Sequence, residues 1–253
     1  MSGISRLIAA AVTPRNQQEE IDFGAAFELV DFLSRARVDA IALFTATGEY
    51  PSLAAGERSR LLYLAVKRSR APLFAGIGAT TLDGSLSLAR QARDAGAAAL
   101  LLPPPHFFRY QQDDIREFYM QFAAHAGSGP PVYIVDTPEI TTAIEPETLR
   151  ELLASGSFAG VADTISEVAC AVPELMAVFR GDAAAFEART LEFTAWARQF
   201  PATIALKAAL NLRGLKTGPF HIPLTPAKQR KLDEFREWFQ AWLKDLKKIA
   251  AHA

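Results

Sequence analysis

Short hydrophobic runs alternate with amphipathic stretches along this chain of 253 residues. The runs are almost continuously apolar, which is typical of parallel strands that are buried on both faces. The predicted strands are Leu7–Val12, Ala40–Phe44, Pro72–Ile77, Ala97–Leu102, Val132–Val135, Phe158–Val161 and Met176–Phe179. Regular alternation of strands and helices with short connections predicts an α/β fold built on a parallel sheet.

The stretches between the strands have the periodicity of amphipathic helices. Helices are predicted after Asp22, from Asp83 to Gly96, at Gln112–Ala124, Pro146–Leu153, Asp182–Phe200 and Pro201–Leu215, and after Thr225. Another helix lies between the second and third strands, and its register is ambiguous. Leu61, Leu64 and Ala65 share one of its faces, whereas Leu62 and Val66 form a competing stripe.

The turn sequences favour a TIM (β/α)8-type barrel over an open doubly wound sheet. A dinucleotide-binding open sheet would carry a glycine-rich turn after its first strand, but residues 13–16 read TPRN. Gly76-Ile77-Gly78 lacks the third glycine of that motif and is interpreted as an ordinary turn. The length suits one barrel, which we expect at residues 1–200, with C-terminal helices packed on it at residues 201–253.

Composition limits the possible partners of the protein. The formal net charge is −1, so no general attraction to nucleic acid or to an anionic membrane is expected. No apolar run reaches the length of a transmembrane helix. The single cysteine, Cys170, lies in an apolar setting and is expected to be a buried, unreactive thiol. We expect a cytoplasmic protein and predict no cofactor.

A series of motifs, in chain order, resembles the dihydrodipicolinate synthase / N-acetylneuraminate lyase family. The opening LIAAAVTPRNQQEEID is similar to the start of the family pattern, and TATGE at residues 45–49 to its G-T-T-G-E. PHF at 105–107, DTPEIT at 136–141 and GVADT at 160–164 resemble its P-Y-Y, N-x-P-x-x-T and G-x-K-D. The resemblance implies a (β/α)8 aldolase that forms a lysine Schiff base with pyruvate and assembles as a homo-oligomer.

The departures from the family pattern fall on its catalytic positions. The resemblance places Ala162 where the family has its Schiff-base lysine, and Val135, Ala46 and Phe107 at its proton-relay positions. Ile140 stands where the synthases have an arginine that reads the carboxylate of the second substrate. Each change removes a polar group, so the resemblance implies that Schiff-base catalysis has been lost.

The distribution of lysines leads to the same expectation without the family. A Schiff-base aldolase needs a desolvated lysine at the carboxyl end of a barrel strand. No lysine lies between residues 68 and 206, so the predicted strands three to seven carry none. Lys67 is expected to be solvated at the end of a helix, and Lys207 to lie on a helix outside the barrel.

The chain is also shorter than the family pattern by one β/α unit. Arg180-Gly181-Asp182 resembles the family's G-D-D after strand seven, but no counterpart of its eighth strand, G-x-I-S, is identified after it. A strand with its crossover needs about 30 residues. Three outcomes are open: a substitute strand at Ala202–Leu206, a barrel closed on seven strands, or an exposed strand edge that invites a partner.

Polar residues remain near the predicted carboxyl ends of the strands, where barrel enzymes hold their active sites. The ligand-binding candidates are Thr45, Thr47, Gly48, Glu49, His106, Asp136, Asp163 and Arg180. The turn at residues 45–48 could offer backbone N–H groups to a carboxylate. Asp136 and Asp163 could act as paired carboxylates or hold a divalent cation, although binding to loop amides is the commoner role of such residues. No metal site is predicted.

Three functions remain open on the sequence. The first is an altered relative of the aldolases that binds a small oxo- or carboxylic acid without Schiff-base catalysis. The second is a lysine-independent lyase, assisted by a metal at Asp136 and Asp163. The third is a regulatory or structural subunit that pairs with an intact homologue.

Overall fold

The computed structural model describes residues 7–162, 165–200, 203–220 and 222–251. Its strands are β1 (Ile8–Ala10), β2 (Ala40–Leu43), β3 (Leu73–Gly76), β4 (Ala99–Leu102), β5 (Val132–Ile134), β6 (Gly160–Val161) and β7 (Ile165–Ser166). The first six predicted strands are confirmed, each with shorter bounds than the apolar run.

Ten α-helices lie in the described part of the chain. They are α1 (Phe23–Arg35), α2 (Ala55–Arg68), α3 (Leu82–Ala95), α4 (Gln112–Ala126), α5 (Pro146–Ala154), α6 (Glu167–Ala171), α7 (Leu175–Gly181), α8 (Ala183–Ala197), α9 (Ile204–Leu212) and α10 (Pro226–Ala250). The predicted caps at Asp22 and Thr225 are confirmed, since both side chains accept backbone N–H groups of their helix. The third helix is capped by Thr81 and begins one residue before Asp83. None of the described helices is long and apolar enough to cross a membrane.

The chain divides into two compact units, Ala42–Asp163 and Met1–Ile41 with Thr164–Ala253. In the first of these, β3, β4, β5 and β6 are parallel neighbours in chain order. Helices α2, α3, α4 and α5 pack against one another in the same order. All four residues of β4 are buried, as expected for a parallel strand covered on both faces. The predicted boundary near residue 200 remains a prediction.

The buried face of α2, which the sequence leaves ambiguous, includes a charged residue, Arg58. The buried positions of this helix are Arg58, Leu61, Leu62 and Ala65, which are spaced as one face of an α-helix. Leu64 lies beside this face and is only partly buried. The two competing stripes in the sequence arise because the first member of the true stripe is an arginine.

The unit formed by the two ends of the chain is mainly helical. Here β1 pairs in parallel with β7, with Ile8 opposite Ile165, and α6 packs on β1. Helices α8 and α10 bury an aromatic cluster that includes Phe193, Phe235 and Phe239. This helical packing anchors the C-terminal part of the chain.

The seventh predicted strand is wrong. Met176–Phe179 lies within α7, where Leu175, Met176 and Val178 are buried. A short apolar run does not distinguish a strand from a turn of buried helix. Asp182 then caps α8 by accepting the backbone N–H groups of Ala184 and Ala185, both at 3.0 Å.

The expectation that the chain has no counterpart of the family's last strand is wrong. Ile165–Ser166 is a strand that pairs with β1, and its sequence matches the Ile-Ser of the family's last strand. A substitute strand at Ala202–Leu206 is wrong as well, because α9 begins at Ile204, while Ala202 lies outside the described residues. Only residues 162–164 separate β6 from β7, too few for a helix. The missing β/α unit therefore falls between these two strands and not after the last one.

Candidate functional site

The turn that follows β2 carries hydrogen-bond donors that have no partner in the described part of the chain. The N–H of Gly48 donates to Thr45 O at 3.0 Å, and the N–H of Glu49 donates to Ala46 O at 2.9 Å. Among the described residues, the N–H groups of Ala46 and Thr47 have no acceptor. The hydroxyl of Thr45 is buried and also lacks a partner there. Three adjacent donors of this kind suit a carboxylate.

A buried arginine fixes the surroundings of this turn. Arg58, only 5% exposed, donates to Gly76 O at 2.6 Å and to Gly78 O at 3.0 Å. Its guanidinium lies 5.5 Å from the ring centroids of both Phe44 and Tyr50. Burial lowers the pKa of Arg58 to about 10, so the side chain is still positively charged at neutral pH. Arg58 thus contacts the end of β3 through its hydrogen bonds and the residues on either side of the turn, Phe44 and Tyr50, through its guanidinium face.

Close packing explains the glycines at the end of β3 and just after it. A Cβ at Gly76 would lie 1.9 Å from Phe44 O, and a Cβ at Gly78 would lie 2.7 Å from the Tyr50 ring. Both distances are far below van der Waals contact. This geometry accounts for Gly76-Ile77-Gly78 as a close-packed turn, in agreement with the sequence interpretation.

His106, in the loop after β4, lies against Tyr50. The Tyr50 hydroxyl is 3.3 Å from His106 Nδ1, and the two rings meet edge to face with centroids 5.2 Å apart. Burial, reinforced by the charge of Arg58, lowers the pKa of His106. Burial raises the pKa of Tyr50 to about 12. Both groups are therefore neutral at pH 7, and either can hydrogen bond to an uncharged part of a ligand.

The loops after β4 and β5 are joined to each other. His106 forms an isolated antiparallel bridge with Thr141, and Arg109 donates to Thr141 O at 3.1 Å. Asp136, at the end of β5, accepts the N–H of Ile144 at 3.3 Å, and burial raises the pKa of its carboxyl. Asp136 thus binds a backbone amide of its own loop, which is the alternative to metal binding that the sequence leaves open.

The second carboxylate of the candidate pair, Asp163, lies outside the described residues. Within the described chain, no group of three or more His, Cys, Asp or Glu side chains is placed to hold a metal ion. Cys170 is buried, and burial raises the pKa of its thiol to about 12. The predicted buried thiol is thus confirmed.

Arg180 lies elsewhere than the sequence indicated. It is on α7 and forms an ion pair with Asp39 at 2.8 Å. The other carboxylate oxygen of Asp39 accepts the N–H of Leu7 at 2.7 Å, which places this pair at the amino end of β1. A ligand site at the carboxyl ends of the strands would lie at the opposite end of β1 from Arg180.

The positions that depart from the family pattern carry apolar side chains in the structure. Val135 and Ala162 follow β5 and β6, and their N–H groups continue the sheet by donating to Leu102 O and Ile134 O. Phe107 is 80% exposed and packs edge to face on Phe108. None of these side chains can take or give a proton.

No lysine lies on β6 or next to it in the sequence. Lys67, on α2, is exposed and lies 3.9 Å from the centroid of the Tyr63 ring. It is the only lysine in the unit Ala42–Asp163. Lys207 lies on a helix, α9, as predicted, but it is buried at 1% exposure, which the sequence pattern does not indicate.

Three residues of this region were missed from the sequence. Tyr50 directly follows the predicted turn, and its position beside Glu49 was an available signal. Arg58 was missed because a helical arginine is normally solvated, although its spacing from Leu61 and Leu62 matches a buried stripe. Tyr133 lies within a correctly predicted strand, two residues before Val135, and the alternation of strand side chains would have put both on one face.

Comparison with known protein sequences gives matches to a family of synthases and aldolases. The model of the dihydrodipicolinate synthetase family matches residues 3–186. The 4-hydroxy-tetrahydrodipicolinate synthase of Heliobacterium modesticaldum is 32% identical over 187 residues, which cover 70% of this chain and 61% of that protein. A second such synthase, from Halalkalibacterium halodurans, is 24% identical over 283 residues, covering 91% and 95% of the two chains.

Solved structures show the same fold. The dihydrodipicolinate synthase of Aquifex aeolicus superposes with a TM-score of 0.80 at 22% identity, covering 94% of this chain and 97% of its own. A prophage protein of the same family from E. coli K12, solved in complex with pyruvate, gives a TM-score of 0.79 at 18% identity over 94% and 98% of the two chains. The predicted α/β fold of the barrel type is confirmed.

Proposed function

The chain belongs to the dihydrodipicolinate synthetase family, and on that basis we propose that it binds a small 2-oxo or carboxylic acid without forming a Schiff base. One observation carries the proposal. The turn after β2 presents the hydroxyl of Thr45 and the N–H groups of Ala46 and Thr47, all without a partner among the described residues. Leaving a buried donor unsatisfied costs about 1–3 kcal/mol, so a bound acceptor would stabilise the turn.

A carboxylate is the acceptor that this turn suits best. Hydrogen bonds to a charged group contribute about 1.5–3 kcal/mol each, more than those to a neutral group. Arg58 packs against Phe44 and Tyr50, the residues on either side of the turn, so its positive charge favours an anion there. Its two terminal nitrogens donate to Gly76 O and Gly78 O, and its Nε is buried with no partner among the described residues. Arg58 therefore acts through charge and by positioning the turn, and the donors at residues 45–47 make the contacts.

The same region lacks the groups that would turn binding into aldolase chemistry. An imine needs an amine, and Ala162 has none to offer. A proton relay through hydroxyls would need side chains other than Ala46, Val135 and Phe107. Neutral His106 and Tyr50 remain, and they can hydrogen bond to the keto oxygen of a 2-oxo acid. The proposed outcome is retained binding with loss of the covalent step.

The other two hypotheses draw less support. Asp136, the described half of the metal candidate, uses a carboxylate oxygen to accept the N–H of Ile144. A role as partner of an intact homologue has no specific contact to support it. Homo-oligomerisation and a cytoplasmic location, both drawn from the sequence, stay predictions.

Calorimetric titration with pyruvate tests the proposal. Thr45→Val keeps the shape of the side chain and removes the buried hydroxyl. We expect its affinity for pyruvate to fall on the order of tenfold. The thermal midpoint of the free variant should stay equal or rise, because an unsatisfied buried group has been removed.

Thr80→Val is the matched control, since Thr80 is an exposed threonine of the same unit. It should bind pyruvate as the wild type does. The proposal fails if the wild type gives no binding heat, or if Thr45→Val binds as tightly as Thr80→Val. A purely structural role for Thr45 would instead lower the thermal midpoint and leave the affinity unchanged.

A further inference from the structure

A pair of aromatic rings lies on the same face of the sheet as the positions of the lost catalytic groups. Phe74 on β3 and Tyr133 on β5 stack with centroids 6.2 Å apart and an angle of 12° between their planes. Both side chains are only partly buried, unlike the neighbouring residues of β4. Resting on the proposed function, we propose that the acid bound here carries an aromatic group, which packs on Phe74 and Tyr133.

Strand register places the rings one layer below the strand ends. Tyr133 is opposite Gly160 in the β5–β6 pair. Because strand side chains alternate between faces, Val135 lies above Tyr133 and Ala162 lies above Gly160. By the same rule Gly76 lies above Phe74. On β3, β5 and β6 the positions above the rings therefore carry small side chains or none. On β4, the strand between the rings, Leu101 lies opposite both Gly76 and Tyr133 and bounds this space.

On the β6 side, the layer of the rings has a glycine where another residue would place a side chain. Gly160 lies beside Tyr133, and a Cβ there would sit 3.8 Å from the Tyr133 ring. Its φ of +151° is a conformation that favours glycine. No side chain at this position competes for the face of the sheet next to the phenol ring.

The spacing between the turn and the rings sets the size of the ligand. Successive side chains on one face of a strand are about 7 Å apart, and neighbouring strands are about 5 Å apart. Phe74 is on the strand next to β2, which leads into the turn at residues 45–49. A carboxylate at the turn and a ring on Phe74 are thus separated by a distance that an aryl-substituted 2-oxo acid spans and pyruvate does not.

The chemistry of the surroundings agrees with a ligand of this kind. The rings provide apolar area and favour offset or edge-to-face contact with another aromatic ring. The Tyr133 hydroxyl adds a polar group at one edge. Loss of the lysine and tyrosine side chains in the layer above removes the polar groups that would otherwise meet the apolar part of the acid.

Separate titrations with two probe acids, phenylpyruvate and pyruvate, test the inference. Calorimetric titration should give phenylpyruvate at least about tenfold higher affinity than pyruvate, because only phenylpyruvate buries a ring. In Phe74→Leu and Tyr133→Leu this affinity ratio should fall towards one. Tyr133→Phe keeps the stacked ring and should keep most of the ratio.

Tyr63→Leu is the control, because Tyr63 is an exposed tyrosine on α2 of the same unit, and it should leave the ratio unchanged. Circular dichroism and thermal unfolding show whether each variant is folded. Pyruvate binding with an equal affinity for phenylpyruvate would overturn this inference and leave the proposed function intact. If the protein bound neither pyruvate nor phenylpyruvate, the proposed function itself would be overturned.

Discussion

Arg58 is the residue on which the geometry of the candidate site depends most. Its guanidinium donates to two carbonyl groups, that of the last residue of β3 and that of Gly78 after it, and lies against two aromatic rings. A buried charge is stabilising only where such partners satisfy it. Removing it leaves both carbonyl oxygens without their donor and loosens the contact between Tyr50 and the turn.

Replacing Arg58 with methionine should therefore be costly. Arg58→Met keeps an unbranched apolar side chain but loses both hydrogen bonds and the two cation–π contacts. We expect the free energy of unfolding to fall by about 2–4 kcal/mol, as measured by urea denaturation. Arg90→Met, at an exposed position on α3, should change it by less than about 0.5 kcal/mol. Equal losses in the two variants would contradict the role given to Arg58.

The sequence predicts one part of this site and not the other. The turn at residues 45–49 and His106 could be placed, because each follows a run that predicts a buried strand. Tyr50 and Arg58 each have a local sequence signal, but their roles depend on contacts with segments that are distant in sequence. Arg180 was misplaced for a related reason: the apolar run before it forms a helix.

At the scale of elements, the ends of β2 and β3 approach so closely that glycine is required. A Cβ at Gly76 would overlap the carbonyl oxygen of Phe44, and the overlap is with backbone, which cannot rotate away. Phe44 itself has a φ of +59°, so the strand end is already constrained. The two strands cannot separate without breaking the contacts of Arg58.

Two glycine-to-alanine substitutions test this constraint. Gly76→Ala should destabilise the fold by at least about 3 kcal/mol, because backbone must shift to admit the methyl group. Gly56→Ala, within α2, meets nothing within 4 Å and should stabilise by about 0.5 kcal/mol. Thermal and urea unfolding measure both effects. A Gly76→Ala variant as stable as Gly56→Ala would contradict the close approach of β2 and β3.

Secondary structure was predicted well where the sequence pattern was long and poorly where it was short. The helices α1, α4, α8 and α10 have several turns of amphipathic sequence and were placed almost correctly. The run Met176–Phe179 was taken as a strand, and the two-residue strand Ile165–Ser166 was missed. Four apolar residues fit both structures, and two residues have no periodicity to detect.

At the scale of the whole molecule, the chain has its family's fold and, among the residues that the structure describes, one strand fewer than the eight that the resemblance implies. The sequence already indicated that a β/α unit is missing, but only strand pairing shows where. Ile165 pairs with Ile8, so the last strand is present and the shortening falls between β6 and β7. The same three-residue connection begins with Ala162, the position at which the resemblance places the family's lysine.

The central claim is that this protein binds an acid without making a covalent bond to it. Intact-mass spectrometry after incubation with pyruvate and sodium borohydride tests the claim most directly, since borohydride reduces any lysine imine to a stable adduct. The claim predicts an unchanged mass for the wild-type protein under conditions in which calorimetry detects binding. A mass gain of one reduced pyruvate on any lysine, including the buried Lys207, would contradict it.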